Sequence, residues 1–219
     1  MKHLPWFGFT AALGLASCTN ANGGGLFVPM PDADLGGQTA NPEGAVYPTE
    51  NIGGQPRTAG RPGQTFPNLT FGGIRSAETI DTLAVIAMAD YYDPTGTRYD
   101  LLHVLGIFLW CPHCSNETSD LMKIAAWRAD HRVAVIQIAM EGYGSGAPGW
   151  NELQRWVREH GLDFPVVADG GGAQLGSYFA VNSVPLNIAV DPRTMEILAV
   201  SIGEVGDVEA YEQQFLSGR

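Results

Sequence analysis

The stretch "FLWCPHCSNE", Phe108–Glu117, puts two cysteines three residues apart in a chain of 219 residues that has only three cysteines. Before it runs "LLHVLGIFLW" (Leu101–Trp110), an apolar segment of strand character. After it Leu121, Ile124 and Ala125 fall on one face of a helix. Strand and helix therefore meet at "CPHC", on the C-terminal edge of a sheet, where α/β proteins place their sites. Pro112 suits the first helical turn, where its missing N–H leaves no bond unmade. Cys111 then lies at the helix N-terminus, whose free N–H groups and dipole favour a thiolate. Cys114 falls one turn deeper on the same face, within reach of a disulfide.

Three readings of the pair compete. A zinc site wants four ligands, usually from two such pairs, and only one is present. His103, His131 and His160 are scattered, and a c-type haem would need histidine where Ser115 stands. Two inert core thiols would leave the strand end, Pro112 and the flanking Trp110 without a reason. A redox couple accounts for all of them and needs neither metal nor organic cofactor.

Further apolar runs read as strands: Leu83–Met88, Val133–Met140, Phe164–Ala168, Leu186–Val190 and Glu196–Ile202. Most are continuously apolar, as in strands covered on both faces. Between them "GWNELQRWVREHG" carries a stripe of Trp150, Leu153, Trp156 and Val157 with Gly161 as a stop, and "DVEAYEQQFL" supplies a last helix. Alternating strands and helices predict an α/β domain over residues 61–219 with a mainly parallel central sheet. The final two strands, joined through "DPRTM", predict an antiparallel hairpin.

Residues 1–17 read as a signal sequence: Lys2, then an apolar run from Leu4 to Ala16 that is about 13 residues long and too short to span a bilayer. Its end, "LASC", resembles a bacterial lipobox, which implies lipidation of Cys18 and retention in the cell envelope, facing the periplasm. An ordinary signal cut nearby, with Cys18 incidental, is the alternative. Loss of Lys2 would take the formal charge from −11 to −12. If Cys18 carries lipid, Cys111 and Cys114 are the only thiols left. Residues 18–60 are dense in Gly, Pro and Asn without periodicity, and read as a flexible tether of roughly 35 Å mean reach. Within it "LFVPM" (Leu26–Met30) offers an apolar patch. The acidic balance argues against nucleic-acid partners and against electrostatic docking on anionic lipid.

"WCPHCSNE" resembles the active site of thioredoxin-fold proteins. "FPVVADGGGAQLGSYFAVNSVPLNIAVDPRTMEILAVSIG" resembles the second half of TlpA/ResA-type membrane-anchored thiol–disulfide oxidoreductases, and the likeness covers about Gly63 to Gly203. The resemblance implies a thioredoxin-like fold: a central mixed β-sheet flanked by helices, with an extra strand–helix insert between the CxxC helix and the cis-proline. The separation from Cys114 to Pro185 is too short for the helical insert of DsbA-type oxidases. Pro185 matches the cis-proline that faces the cysteines, and Val184 would offer its backbone to an extended substrate. Glu117 matches an acid proposed to affect cysteine protonation; complementing the helix dipole would be its plainer role. Trp110 matches the aromatic before the first cysteine, as packing or as a substrate rim.

Departures accompany the match. Thr118, Ser119 and Asp120 stand where the family often has a proline. The strand before the motif lacks the buried acid of cytosolic thioredoxins; His103 is its only titratable group and reads as a buried core histidine. The implied reaction is thiol–disulfide exchange with protein cysteines of the envelope, recycled by an unidentified redox partner. The scaffold resembles reductants, whereas Pro112–His113 is the dipeptide of DsbA-type oxidants. A donor at His113 would stabilise the Cys111 thiolate and make the couple more oxidising. Two other classes share elements of the pattern. Peroxiredoxins share the fold, but "GIFLW" replaces their threonine-bearing loop. Sco-like copper chaperones use a CxxxC pair, whereas this chain has CxxC.

Overall fold

The structure, a computed structural model, describes residues 27–53 and 61–216; the expected signal sequence and Cys18 lie outside the described residues. Its strands are β1 (Thr70–Ile74), β2 (Ala84–Ala87), β3 (Leu101–Phe108), β4 (Val133–Glu141), β5 (Val166–Ala168), β6 (Leu186–Asp191) and β7 (Glu196–Ile202). Its α-helices are α1 (Pro112–Lys123), α2 (Ala125–Asp130), α3 (Trp150–His160) and α4 (Val208–Leu216).

β3 is apolar along nearly its whole length because both of its faces are covered. Successive side chains alternate between two cores. Leu102 and Val104 enter one core with Ile136 and Ile138 of β4 and Ile188 and Val190 of β6. Leu101, Leu105 and Ile107 enter the other with Val133 and Val135 of β4, Leu121 of α1, and Leu153, Trp156 and Val157 of α3. Three positions on this second, helix-covered face are polar: His103, Gln137 and Asn187, each fully buried. Gln137 and Asn187 flank Leu105 in register, and His103 is two residues back along β3.

The strand order is β2-β1-β5-β4-β3-β6-β7. β3, β4 and β5 run parallel, and every other pairing is antiparallel. The sheet is therefore mixed, and the parallel character expected from the alternating pattern is confined to its centre. The β6–β7 hairpin is present, with Met195 in the left-handed region at φ 58°. α3 stops at Gly161, also left-handed at φ 63°. Between α1 and the Val184–Pro185 bond the chain runs through α2, β4, α3 and β5, then short 3-10 turns at Gly170–Gly172 and Leu175–Ser177.

Two differences from the sequence reading have physical causes. β1, "TFGGI", was not expected, because two glycines erase its apolar alternation. A Cβ on Gly73 would run into the Val166 carbonyl and Val167 Cα of β5, so close strand packing excludes a larger residue. The second concerns the expected tether. Residues 27–53 pack on the domain and use isolated anchors where a periodic face is lacking. Tyr47 is 2% exposed, and its hydroxyl donates to the Phe66 carbonyl at 2.8 Å. The Val28 carbonyl accepts from the Trp150 N–H at 2.7 Å, while the Val28 N–H donates to Asn151 Oδ1 at 2.9 Å. Met30 packs against the helix-side core. The ordered body therefore begins well before residue 61.

This packing makes a stability prediction. Tyr47→Ala removes a buried ring and a hydrogen bond, and should lower the unfolding free energy by about 3 kcal/mol. Chemical denaturation checks it; a flexible tether would leave the midpoint unchanged.

Candidate active site

β3 ends at Phe108 because Leu109 and Trp110 turn the chain into α1, with the Cys111 N–H donating to the Phe108 carbonyl at 3.0 Å. Cys111 is the N-cap residue in extended conformation, and Pro112 opens the helix. The cap acceptor is a sulfur where Ser or Asp would normally offer oxygen: the Cys114 N–H donates to Cys111 Sγ at 3.2 Å. Both cysteines are free thiols. Cys111 is 5% exposed and Cys114 is sealed at 0%. Burial pushes the Cys114 thiol far up, reinforced by its hydrogen bond with Cys111 and by the charge of Glu117. The pair is thus asymmetric: Cys111 caps the helix N-terminus and keeps a sliver of exposure, and Cys114 is held behind it as a fully buried thiol.

Glu117 faces inward from α1 and is fully buried; no acidic residue occupies the helix's first turn, so the simple dipole role does not apply. Its Oε2 accepts from the Val205 N–H at 3.0 Å. Burial pushes its carboxyl up, opposed by the Val205 hydrogen bond, by the charge of His103 and by the Asn187 side chain. His103 is held on both ring nitrogens: Nδ1 lies 2.8 Å from Glu212 Oε1 and Nε2 lies 2.7 Å from Asn187 Oδ1. Burial works against the imidazolium, but the hydrogen bond and charge of Glu212 outweigh it and raise the His103 pKa. Beside this chain, Thr118 Oγ1 accepts from Gln137 Nε2 at 2.7 Å, and Trp156 Nε1 donates to Gln137 Oε1 at 2.9 Å.

His113 follows Pro112 in the first turn of α1. Its exposed ring pairs with Glu204, Nδ1 to Oε2 at 2.7 Å. Trp110 is 47% exposed, stacks obliquely on Phe108 and donates from Nε1 to Glu141 Oε2 at 2.8 Å. The Val184–Pro185 peptide is cis. It directly precedes β6, whose Leu186 pairs with Gly106, so it lies at the edge where β3 delivers Cys111. Val184 packs against the core that contains both cysteines, and the Pro185 carbonyl accepts from the Gly203 N–H at 2.8 Å.

The structure thus brings Trp110, Cys111, Pro112, Cys114, Val184 and Pro185 to one edge, buries Glu117 on α1 beneath them and pairs His113 with Glu204. Sequence reasoning missed Asn187 and Glu212. The available signal was the i, i+4 spacing of Val208 and Glu212, which puts a carboxylate on the buried face of α4. A cavity of about 390 Å³ lined by Arg75, Tyr91, Arg98 and Pro165 lies away from the cysteines. Among the described residues no three His, Cys, Asp or Glu side chains converge as a metal site, and no helix is long and apolar enough to cross a membrane.

No protein-family model matches the chain, and no curated protein does. Solved structures do. The chain is similar to a protein described as a thiol:disulfide interchange protein DsbE from Chlorobium tepidum, at 18% identity over 71% of this chain and 96% of that one, with TM-score 0.53. It is similar to the thioredoxin domain of a thiol-disulfide oxidoreductase from Bacteroides vulgatus, at 18% identity over 71% of this chain and 98% of that one, TM-score 0.53. It is also similar to AhpC of Mycobacterium tuberculosis, at 15% identity over 71% of this chain and 95% of that one, TM-score 0.53. At such identities the likeness speaks for architecture, and with the sheet order and the helix-capping cysteine pair it leads to one conclusion: the chain has a thioredoxin-like α/β fold with a mixed sheet flanked by helices.

Proposed function

We propose that this protein is a TlpA/ResA-like thiol–disulfide oxidoreductase of the bacterial cell envelope, acting on protein thiols and disulfides and anchored to a membrane through lipid on Cys18. The observation that carries the reading is the asymmetry of the pair: Cys111 as helix cap with slight exposure, its sulfur taking the Cys114 N–H, and Cys114 sealed behind it.

In the reducing direction the Cys111 thiolate attacks a substrate disulfide. A Cys111–substrate S–S bond forms, the substrate S–S bond breaks, and one substrate sulfur leaves as thiolate. Cys114 then gives up its proton and attacks Cys111 Sγ. The Cys111–Cys114 disulfide forms and the second substrate sulfur leaves, so two electrons have passed to the substrate. The buried Glu117 carboxylate is the nearby group suited to accept the Cys114 proton. The oxidising direction reverses each step, and a separate redox partner resets the pair. Trp110 forms the rim of the site, and the Val184 backbone beside cis-Pro185 offers an edge for an extended peptide. Glu204, by pairing with His113, damps the oxidant character that the Pro112–His113 dipeptide would otherwise confer. Reduction of insulin disulfides, followed in the wild type and in the two cysteine variants, tests the reading.

The anchor carries its own expectation. Because residues 27–53 pack on the domain, only the stretch from Cys18 to Phe27 separates lipid from body, a reach of at most about 30 Å. Cys18→Ala protein should move from the salt-washed membrane fraction to the soluble fraction, since acyl chains hold independently of salt. Retention of Cys18→Ala on washed membranes would contradict the lipid assignment.

A further inference from the structure

Beneath the cysteines lies a cluster that an exchange site does not require. Glu117 of α1, His103 of β3, Asn187 of β6 and Glu212 of α4 are all fully buried. Three buried side-chain atoms lack a hydrogen-bond partner among the described residues: Glu117 Oε1, Tyr211 Oη and Glu212 Oε2, and all belong to this one place. The Tyr211 ring packs 5.4 Å from His103. Glu204 acts on Glu117 from the loop after β7, and Cys114 from α1. An apolar filling of the same volume would cost less than burying two carboxyls and an imidazole, so their retention calls for a role beyond packing.

The bonding is directional. Asn187 Nδ2 donates to the Gly203 carbonyl at 3.2 Å, which leaves Oδ1 to accept from His103. Nε2 of His103 therefore carries a hydrogen, and its Nδ1 shares one further proton with Glu212 Oε1. Asn187 and Glu117 are tied to the same loop, since Glu117 Oε2 accepts from the Val205 N–H two residues beyond the Gly203 carbonyl that Asn187 holds. A line of hydrogen bonds thus runs from Glu212 through His103 and Asn187 to the 203–205 loop, which in turn holds Glu117 one turn along α1 from Cys114.

We propose that the His103–Glu212 pair is a positioning element for the exchange reaction: through Asn187 and the 203–205 loop it holds the Glu117 carboxyl in place and ionised, one turn along α1 from Cys114. The inference rests on the exchange reading above. Glu212 is the counter-ion that holds the proton on His103. The imidazolium opposes the burial of Glu117 in part and so favours the carboxylate that takes the Cys114 proton. That proton moves from sulfur to Glu117 as the Cys114–Cys111 bond forms and the substrate thiolate departs, so charge is conserved within the site.

The test is a ¹³C NMR titration of the Glu117 carboxyl in the reduced protein, in the wild type, Glu212→Gln and His103→Gln. Gln at 212 can donate to a neutral imidazole at Nδ1, so packing survives while the charge is lost. In both variants the Glu117 midpoint should move to higher pH, by about one pH unit or more. The pH profile of insulin reduction should move the same way, and Glu212→Gln should add nothing to it in a Glu117→Gln background. An active wild type whose Glu117 midpoint is unmoved in both variants overturns this inference alone. An inactive wild type overturns the exchange reading, and this role with it.

Discussion

Cys111→Ser and Cys114→Ser are expected to fail in opposite ways. Without the Cys111 sulfur no mixed disulfide forms, and insulin reduction should drop at least about 10³-fold, to the uncatalysed rate, because a serine hydroxyl does not attack a disulfide. Without Cys114 the first step survives, and the protein should accumulate as a covalent adduct with its substrate. The structure gives the reason for the division. Cys111 caps α1 and touches solvent, while Cys114 is fully covered and burial holds it as a thiol. Non-reducing gels of both variants after exposure to insulin check the prediction.

Glu117→Gln should separate catalysis from stability. With the proton acceptor gone, attack by Cys114 should slow about 10²-fold at neutral pH, within the usual range for general base catalysis. Stability should change in the other sense. Burial raises the Glu117 pKa above its ordinary 4.5, so the folded state binds more protons than the unfolded state just above that pH. The wild type therefore loses stability as pH rises from 4.5 through the raised folded value, and Glu117→Gln should lack that loss. His103 has the same sign: its pKa is raised above 6.5, so its contribution is complete below 6.5 and lost as pH rises through the folded value. Urea midpoints of the reduced proteins across this range measure both slopes. A Glu117→Gln variant with wild-type resolving rate would remove Glu117 from the chemistry.

Much of the architecture was legible because hydrophobic pattern and turn chemistry agreed. β3, β4, β6 and β7 follow directly from apolar runs, and "CPHC" between a strand and an amphipathic helix locates the site. β1 was hidden because two glycines interrupt its apolar pattern and Gly73 answers to a neighbouring strand, a constraint that local pattern does not carry. Residues 27–53 read as tether because their anchors, Tyr47, Val28 and Met30, are single residues without period. His103 was legible as buried, but its partners Asn187 and Glu212 lie 84 and 109 residues further on, and only the fold brings them together. His113 likewise has a partner that local pattern could not supply, Glu204 from a loop 91 residues on.

The central claim is that Cys111 is the exchanging sulfur and Cys114 the resolving one. The most direct measurement incubates the Cys114→Ser protein with a cystine-containing peptide and locates the trapped disulfide by mass spectrometry. The account predicts one dithiothreitol-sensitive adduct, on Cys111. No adduct on Cys111, or an adduct on Cys114 in the Cys111→Ser protein under the same conditions, would contradict it.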